Sequence, residues 1–481
     1  MPPAVSRVPR LGQDRRVTAV QAPRRWHAEF AWLARGAPAG DLAHDVLIEA
    51  AGDRFTTVTP GTPAAQVPPD TVRLPGLTLP GMANAHSHAF HRALRGSAGG
   101  DTFWTWRDRM YAVAERLDPD RYFALARAVY AEMALAGITC VGEFHYLHHG
   151  QGGVAYSDPN ELGRLLIDAA AEAGLRITLL DVCYLAAGFT PGGAARPLDG
   201  VQLRFGDGSA AGWAQRMAAF GCDARGMVGA HARLGAAIHS VRAVPPDQVP
   251  EVMAWSHAHG APVHAHLSEQ PGENAECLAA FGATPAGVLY EAGALGPRST
   301  MVHATHLTPG DVELLGGSQS TVCMCPVTEA DLADGVGPAP ALARAGCPLA
   351  LGSDGHSVID LLEEARWMEL SQRLVTQRRG HFSASDLAAA ATAAGHACLG
   401  WPDAGEIVPG AYADLVTVPF GGPRLAGVPA GDPLAALFAA GTAADVRHVV
   451  ASGVDVVRDG RHLLVENVPG ELAAAVRAVL G

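Results

Sequence analysis

Between Gly76 and His356 short apolar runs recur, and most of them turn polar near their C-terminal end. They read GLTLPGMANAHSH, ITCVGEFHY, LRITLLDVCY, MVGAHARLGAAIHS, APVHAHLSE, STMVHATHL, STVCMCPVTE and CPLALGSDGH. Near-continuous apolar runs of this length suit strands buried on both faces. The segments between them carry helical spacing. DPDRYFALARAVYAEMALAG offers Asp118 as an N-cap, Pro119 in the first turn and Gly137 as a stop. Eight strand–helix units across residues 79–406 predict an α/β protein built on a (β/α)8 TIM barrel. A doubly wound open sheet is the alternative.

The flanks have a different texture. Residues 1–17 read as a loose tail. From Thr18 to Thr78 short strands and turns dominate, and HDVLIEAAGDRFTTVTPG predicts a hairpin around Gly52-Asp53. The same texture returns in ADLVTVPF and VRHVVASGVDVVRDGRHLL. Residues 18–78 and 407–481 therefore predict one small β domain built from both ends of the chain.

Composition narrows the partners. The chain has 481 residues, 48% hydrophobic and 17% charged, with a net charge of −13. That balance fits a globular protein and disfavours nucleic acid or an anionic membrane as a general partner. All 35 bases are arginine. Without lysine there is no Schiff base, no phosphate-loop lysine and no lysine carbamate bridging two metals. The eight cysteines form no C-x-x-C pair and read as reduced, buried thiols of a cytoplasmic protein. Neither a signal-peptide core nor an apolar run of about 18 residues is visible, so no membrane span is expected.

The polar strand ends carry the candidate chemistry. They hold His86 and His88, Glu143 and His145, His239, His266 and Glu269, His303 and His306, Glu329, and Asp354 and His356. In a barrel these ends meet on one face, where active sites are built. His86-x-His88 places two imidazoles on one side of a strand. With a third histidine and a carboxylate they would make a shell suited to Zn²⁺. His264 and His266 share a strand face, and the strand-end position favours His266. Glu269 stands where it could handle protons. Asp354 follows a wholly apolar strand, where a carboxylate is costly unless paired or bound to metal.

Taken together, these residues resemble the amidohydrolase superfamily and, within it, the formimidoylglutamate deiminases. The superfamily pattern is H-x-H on strand 1, His on strands 5 and 6, and Asp on strand 8. The subfamily likeness rests on NAHSHAFHRALRG, TFWTWRDRMY, GEFHYLHH, IHSVRAV, VHAHLSEQ, VHATHL, CPVTEADLADG and LGSDGHSVIDLLEEARW. The resemblance implies one divalent metal, zinc in most relatives, held by His86, His88, His266 and Asp354. It implies catalytic work for Glu269, His303 and Asp354, and substrate contacts at Arg107, Tyr146, His239 and Arg242. His91 stands at a substrate position where the family often has Gln, and GSDGHSV replaces the more usual GSDSH.

The implied reaction is hydrolytic deimination of N-formimino-L-glutamate to N-formyl-L-glutamate and ammonia, a step of histidine degradation. A dicarboxylate needs local cations in an acidic protein, and Arg107 and Arg242 can grip carboxylates bidentately. The expected partners are this small molecule and a second copy of the chain in a homodimer. The alternatives are a deaminase of the same fold acting on a purine, triazine or guanidine compound, and a non-catalytic barrel scaffold.

Overall fold

The computed structural model describes residues 23–37, 41–96, 103–428 and 431–481. The expected tail at 1–17 lies outside them. Four strands open the described chain: β1 (Arg24–Trp32), β2 (Leu42–Ala51), β3 (Arg54–Thr59) and β4 (Val72–Pro80). Eight more form the barrel: β5 (Met82–Ser87), β6 (Ile138–His145), β7 (Arg176–Cys183), β8 (Ala232–Ile238), β9 (Val263–Leu267), β10 (Ser299–His303), β11 (Thr321–Met324) and β12 (Leu349–Leu351). The last four are β13 (Leu415–Val418), β14 (His448–Ala451), β15 (Val454–Arg458) and β16 (Arg461–His462).

Strands β5 to β12 pair in parallel in sequence order. A parallel bridge between Ser87 and Asp354 joins the last strand to the first. The chain is thus a (β/α)8 barrel, and the open sheet is excluded. Every residue of β6 and β7 is buried, as continuous apolar strands under a ring of helices require. The first helix of the ring after a complete strand unit behaves as its sequence says. Asp118 accepts a hydrogen bond from the Arg121 amide, Pro119 opens the helix Pro119–Leu135, and Gly137 follows at φ +88°.

The outer strands form a second sheet in the order β16-β15-β14-β13-β4-β1-β2-β3. Both ends of the chain contribute, and they join where β4 and β13 pair antiparallel. The hairpin of β2 and β3 turns at Gly52, φ +62°. The final helix, Val468–Leu480, leaves this sheet and lies against Pro119–Leu135 of the barrel. Seven cysteines are buried, Cys222 is half-buried, and none is paired. No described helix is long and apolar enough to cross a membrane.

One buried ion pair ties the two sheets together. Asp414, just before β13, accepts from both terminal nitrogens of Arg176 at the start of β7. It also accepts from the Ser452 amide at 2.7 Å, and its own carbonyl accepts from Gly81 between β4 and β5. The Arg176 guanidinium stacks over Tyr412, 4.4 Å from the ring centroid. Burial works against the Asp414 charge, but Arg176 outweighs it and holds the carboxyl below its ordinary value. Asp414→Ala would strand a buried guanidinium and should cost about 3–5 kcal/mol in denaturant unfolding. A depressed carboxyl stabilises the fold above its unfolded value of about 4, and that stability disappears as pH falls through the folded value. The mutant's acid-unfolding curve should therefore lose part of this steepness.

Candidate active site

At the C-terminal ends of the barrel strands lies a pocket lined by His88, His266, Glu269, His303 and Asp354, with His86 beneath. His86 Nε2 stands 3.3 Å and His88 Nε2 3.4 Å from Asp354 Oδ1. His266 Nε2 stands 3.1 Å from His86 Nε2. The far nitrogens fix two tautomers. His88 Nδ1 lies 3.0 Å from the Phe144 carbonyl, and His266 Nδ1 lies 3.0 Å from the His239 carbonyl. A carbonyl only accepts, so each Nδ1 donates and each Nε2 turns a lone pair inward. The His88 lone pair thus faces a carboxylate oxygen. Two acceptors so placed repel unless a cation lies between them. Burial holds the pKa of both imidazoles well below the usual value, which keeps them in the neutral, ligating form. This donor set fits one divalent ion of the Zn²⁺ type.

Local backbone geometry aims these groups. Ser268, His303 and Asp354 adopt φ of +49°, +69° and +37°, the left-handed region that costs non-glycine residues about 1–3 kcal/mol each. These kinks lie at or just beyond the ends of β9, β10 and β12, and His303 and Asp354 line the pocket. Asn84 clamps the seam: its Oδ1 accepts from the Ser353 amide at 2.9 Å and its Nδ2 donates to Ser353 Oγ at 2.7 Å. Gly352 lets β12 approach β5, since a Cβ there would stand 2.7 Å from His86 Cβ. Behind the H-x-H segment, Glu143 accepts from Ser87 Oγ and the Ala89 amide, both at 2.7 Å.

Above the floor sits an acid–base pair. Glu269 Oε1 lies 3.7 Å from His303 Nε2, and Arg242 donates to Glu269 Oε2 at 3.5 Å. Burial raises the Glu269 pKa, against the pull of His303 and Arg242. For His303 burial opposes the charge, but Glu269, Glu329 and Asp354 outweigh it and raise the imidazole well above its usual value. The arrangement places a carboxylate and an imidazole where either can exchange a proton with a group bound in the pocket.

The pocket wall carries the remaining residues expected from sequence. His91 Nε2 pairs with Tyr146 OH at 2.9 Å and takes no place among the converging donors. Arg107 lies over the Trp104 ring, 4.5 Å from its centroid. His239 packs its ring on Tyr184 at 4.4 Å while its carbonyl holds His266. His264 turns to the Cys398 carbonyl, as a packed residue.

Polarity at a strand end did not always mean the pocket. His145 joins His148 and Asp181 on the other side of the strands, where Arg216 saturates both Asp181 oxygens at 2.9 and 2.7 Å. His306 binds the Asp334 carbonyl. Glu143 and Glu329 stood among the strand-end candidates without an assigned part, and Glu329 Oε1 lies 3.5 Å from His303 Nδ1; Asn84 was not singled out. Sequence reasoning also passed over Tyr184 and Arg196, which line the pocket. Tyr184 directly follows β7, so the strand-end rule could have found it. Arg196 lies in a loop with no such signal.

Residues 77–456 match the Amidohydrolase family. The chain is 40% identical over 404 residues to the formimidoylglutamate deiminase of Pseudomonas aeruginosa, covering 81% of this chain and 86% of that protein. It is 30% identical over 442 residues to a 5-methylthioadenosine/S-adenosylhomocysteine deaminase of Halobacterium salinarum, covering 90% and 93%. The crystal structure of an amidohydrolase from Brucella melitensis superposes with a TM-score of 0.85 and 32% identity, over 95% of this chain and all of that one.

Metal analysis of the purified chain should return one divalent ion per chain. His266→Ala should weaken its retention against a chelator by at least ~10-fold, with a lowered Tm. Full retention in that variant would remove His266 from the ligand set.

Proposed function

The chain belongs to the amidohydrolase family, and on that premise we propose that it hydrolyses the amidine carbon–nitrogen bond of N-formimino-L-glutamate, giving N-formyl-L-glutamate and ammonia. One observation carries the substrate assignment: Arg107 and Arg242 line the same pocket as the Glu269–His303 pair. Two guanidiniums suit a dicarboxylate and have no purpose beside a neutral purine or triazine.

His86, His88, His266 and Asp354 are assigned as ligands of one divalent ion, which we take to be zinc. Such an ion acidifies water and polarises the bond under attack. Asp354 Oδ2 accepts a hydrogen bond from the attacking water and orients it. Glu269 takes a proton from that water, and its raised pKa lets it give the proton up again to the leaving nitrogen. His303, held charged by the carboxylates around it, stabilises negative charge on the hydroxyl oxygen of the tetrahedral intermediate as its proton leaves. The formimino group enters as its amidinium cation, so this one proton from Glu269 makes the leaving group ammonia; as the carbon–nitrogen bond breaks, the hydroxyl proton passes to Asp354 and a formyl group is left on the substrate nitrogen. Arg107 and Arg242 hold the two carboxylates, with Tyr146 and His239 beside them. His91 orients the Tyr146 hydroxyl toward the substrate.

Ammonia release from N-formimino-L-glutamate, measured beside 5′-methylthioadenosine and a triazine, tests the assignment. Turnover of the purine alone would overturn it. Glu269→Gln should retain the metal and lose on the order of 10²–10⁴ in kcat. Near-normal turnover would exclude Glu269 as the proton carrier. Replacing Arg107 and Arg242 together with Met should lower kcat/KM for N-formimino-L-glutamate by at least ~100-fold.

A further inference from the structure

Three loops carry the acid–base groups of the pocket. Glu269 stands two residues beyond β9, His303 ends β10, and Glu329 lies on the helix Pro326–Asp331 that follows β11. Asp334, in the turn after that helix, bonds to all three loops. Its amide donates to the Glu329 carbonyl at 2.8 Å. Its carbonyl accepts from Nε2 of His306, three residues beyond His303, also at 2.8 Å. Its carboxyl Oδ1 accepts from Nε2 of Gln270, the residue next to Glu269. His306 closes the ring, because its own amide donates to the Ser268 carbonyl at 3.0 Å.

The turn holds Asp334 at this junction. Ala333 and Gly335 adopt φ of +57° and +123° on either side of it, and the first is a strained conformation for alanine. Asp334 is buried, and its Oδ2 has no hydrogen-bond partner among the described residues. Burial and the surrounding carboxylates, Glu269 foremost, raise its pKa, so it meets Gln270 as a neutral acceptor. A half-satisfied buried acid costs stability, and a leucine would avoid that cost. What the acid adds is the hold on Gln270.

We propose that Asp334 is a positioning residue, which through Gln270 fixes the approach of Glu269 to the reacting group. This rests on the reading of Glu269 as the proton carrier. The Glu269 carboxylate meets Arg242 at 3.5 Å and His303 at 3.7 Å, long contacts that do not by themselves set its direction. That direction comes from the backbone. The Glu269 amide donates to Glu273 Oε2 at 3.1 Å on one side, and Gln270 is anchored on the other. Catalysis depends steeply on such placement, and a shift of about 1 Å costs on the order of 100-fold.

The test compares the metal-loaded wild type with Asp334→Leu, Asp334→Asn and Gln270→Leu. Leucine keeps the volume and removes the acceptor, whereas asparagine keeps both. Asp334→Leu should lower kcat about 10- to 100-fold with KM within about threefold and metal content unchanged. Asp334→Asn should stay within about threefold of wild type in both. Gln270→Leu should reproduce the loss, and the double variant Asp334→Leu/Gln270→Leu should lose no more than the larger single loss. Normal kcat in Asp334→Leu, a loss in Asp334→Asn as large as in the leucine variant, or additive losses in the double variant would each overturn the proposal. If Asp334→Leu does not fold, Gln270→Leu decides by the same kcat criterion. Hydrogen–deuterium exchange gives a readout without substrate. The peptide spanning residues 267–275 should exchange faster in Asp334→Leu and at the wild-type rate in Asp334→Asn. Unchanged exchange in the leucine variant rejects the clamp, and this arm stands even if N-formimino-L-glutamate proves not to be the substrate.

Discussion

His86, His88 and Asp354 are brought together at the seam where the first barrel strand meets the last. Asp354 N donates to the His86 carbonyl at 3.1 Å, and Asn84 bonds twice to Ser353. These few bonds bring together residues more than 260 positions apart in the chain. Without them His86 and His88 would face open space and Asp354 would be a buried charge with nothing to balance it. The helices Leu361–Thr376 and Ala393–Cys398 that follow β12 help to hold the seam, packed on β12 and β5. Barrel closure and assembly of the donor set are therefore one event.

Charge balance is the second constraint. The site crowds Glu269, Glu329, Asp334 and Asp354 around one imidazole and one guanidinium. Burial and the neighbouring carboxylates push the Asp334 carboxyl up to about 9. Burial likewise pushes Glu143, behind the H-x-H segment, up to about 7. Asp354 is driven to the charged form, because the histidines around it outweigh the cost of burial. Groups of one chemical type are thus set by their surroundings to different charge states.

Much of this was legible in the chain. The eight apolar runs coincide with β5 to β12, and the two strand-rich ends do form one sheet. His86, His88, His266, Glu269, His303 and Asp354 were picked out because each sits where a buried strand turns polar, and the structure gathers them. The same rule misled at His145 and His306. A strand end has two sides, and period-two alternation does not say which side faces the pocket. Arg196 was invisible for a different reason. It sits in the loop after β7, and a loop leaves no periodic mark. Asn84 was hidden in plain view, since its partner Ser353 is distant in sequence and only closure reveals the pairing.

The pairing of β4 with β13 has a consequence for synthesis on the ribosome. Strands β1 to β4 emerge first, yet β4 finds its second neighbour only after Leu415 has been made. Until then the nascent half-sheet presents a bare edge, the kind of surface that recruits stray strands from other chains. The whole barrel is translated during that wait. Contacts of such long sequence separation are costly to close, and the pairing of the C-terminal strands beside β4, with Arg176 and Asp414 beneath, cannot form before they are made. A ribosome stalled before Asp414 would release a chain with its barrel strands made and its outer sheet still unsealed.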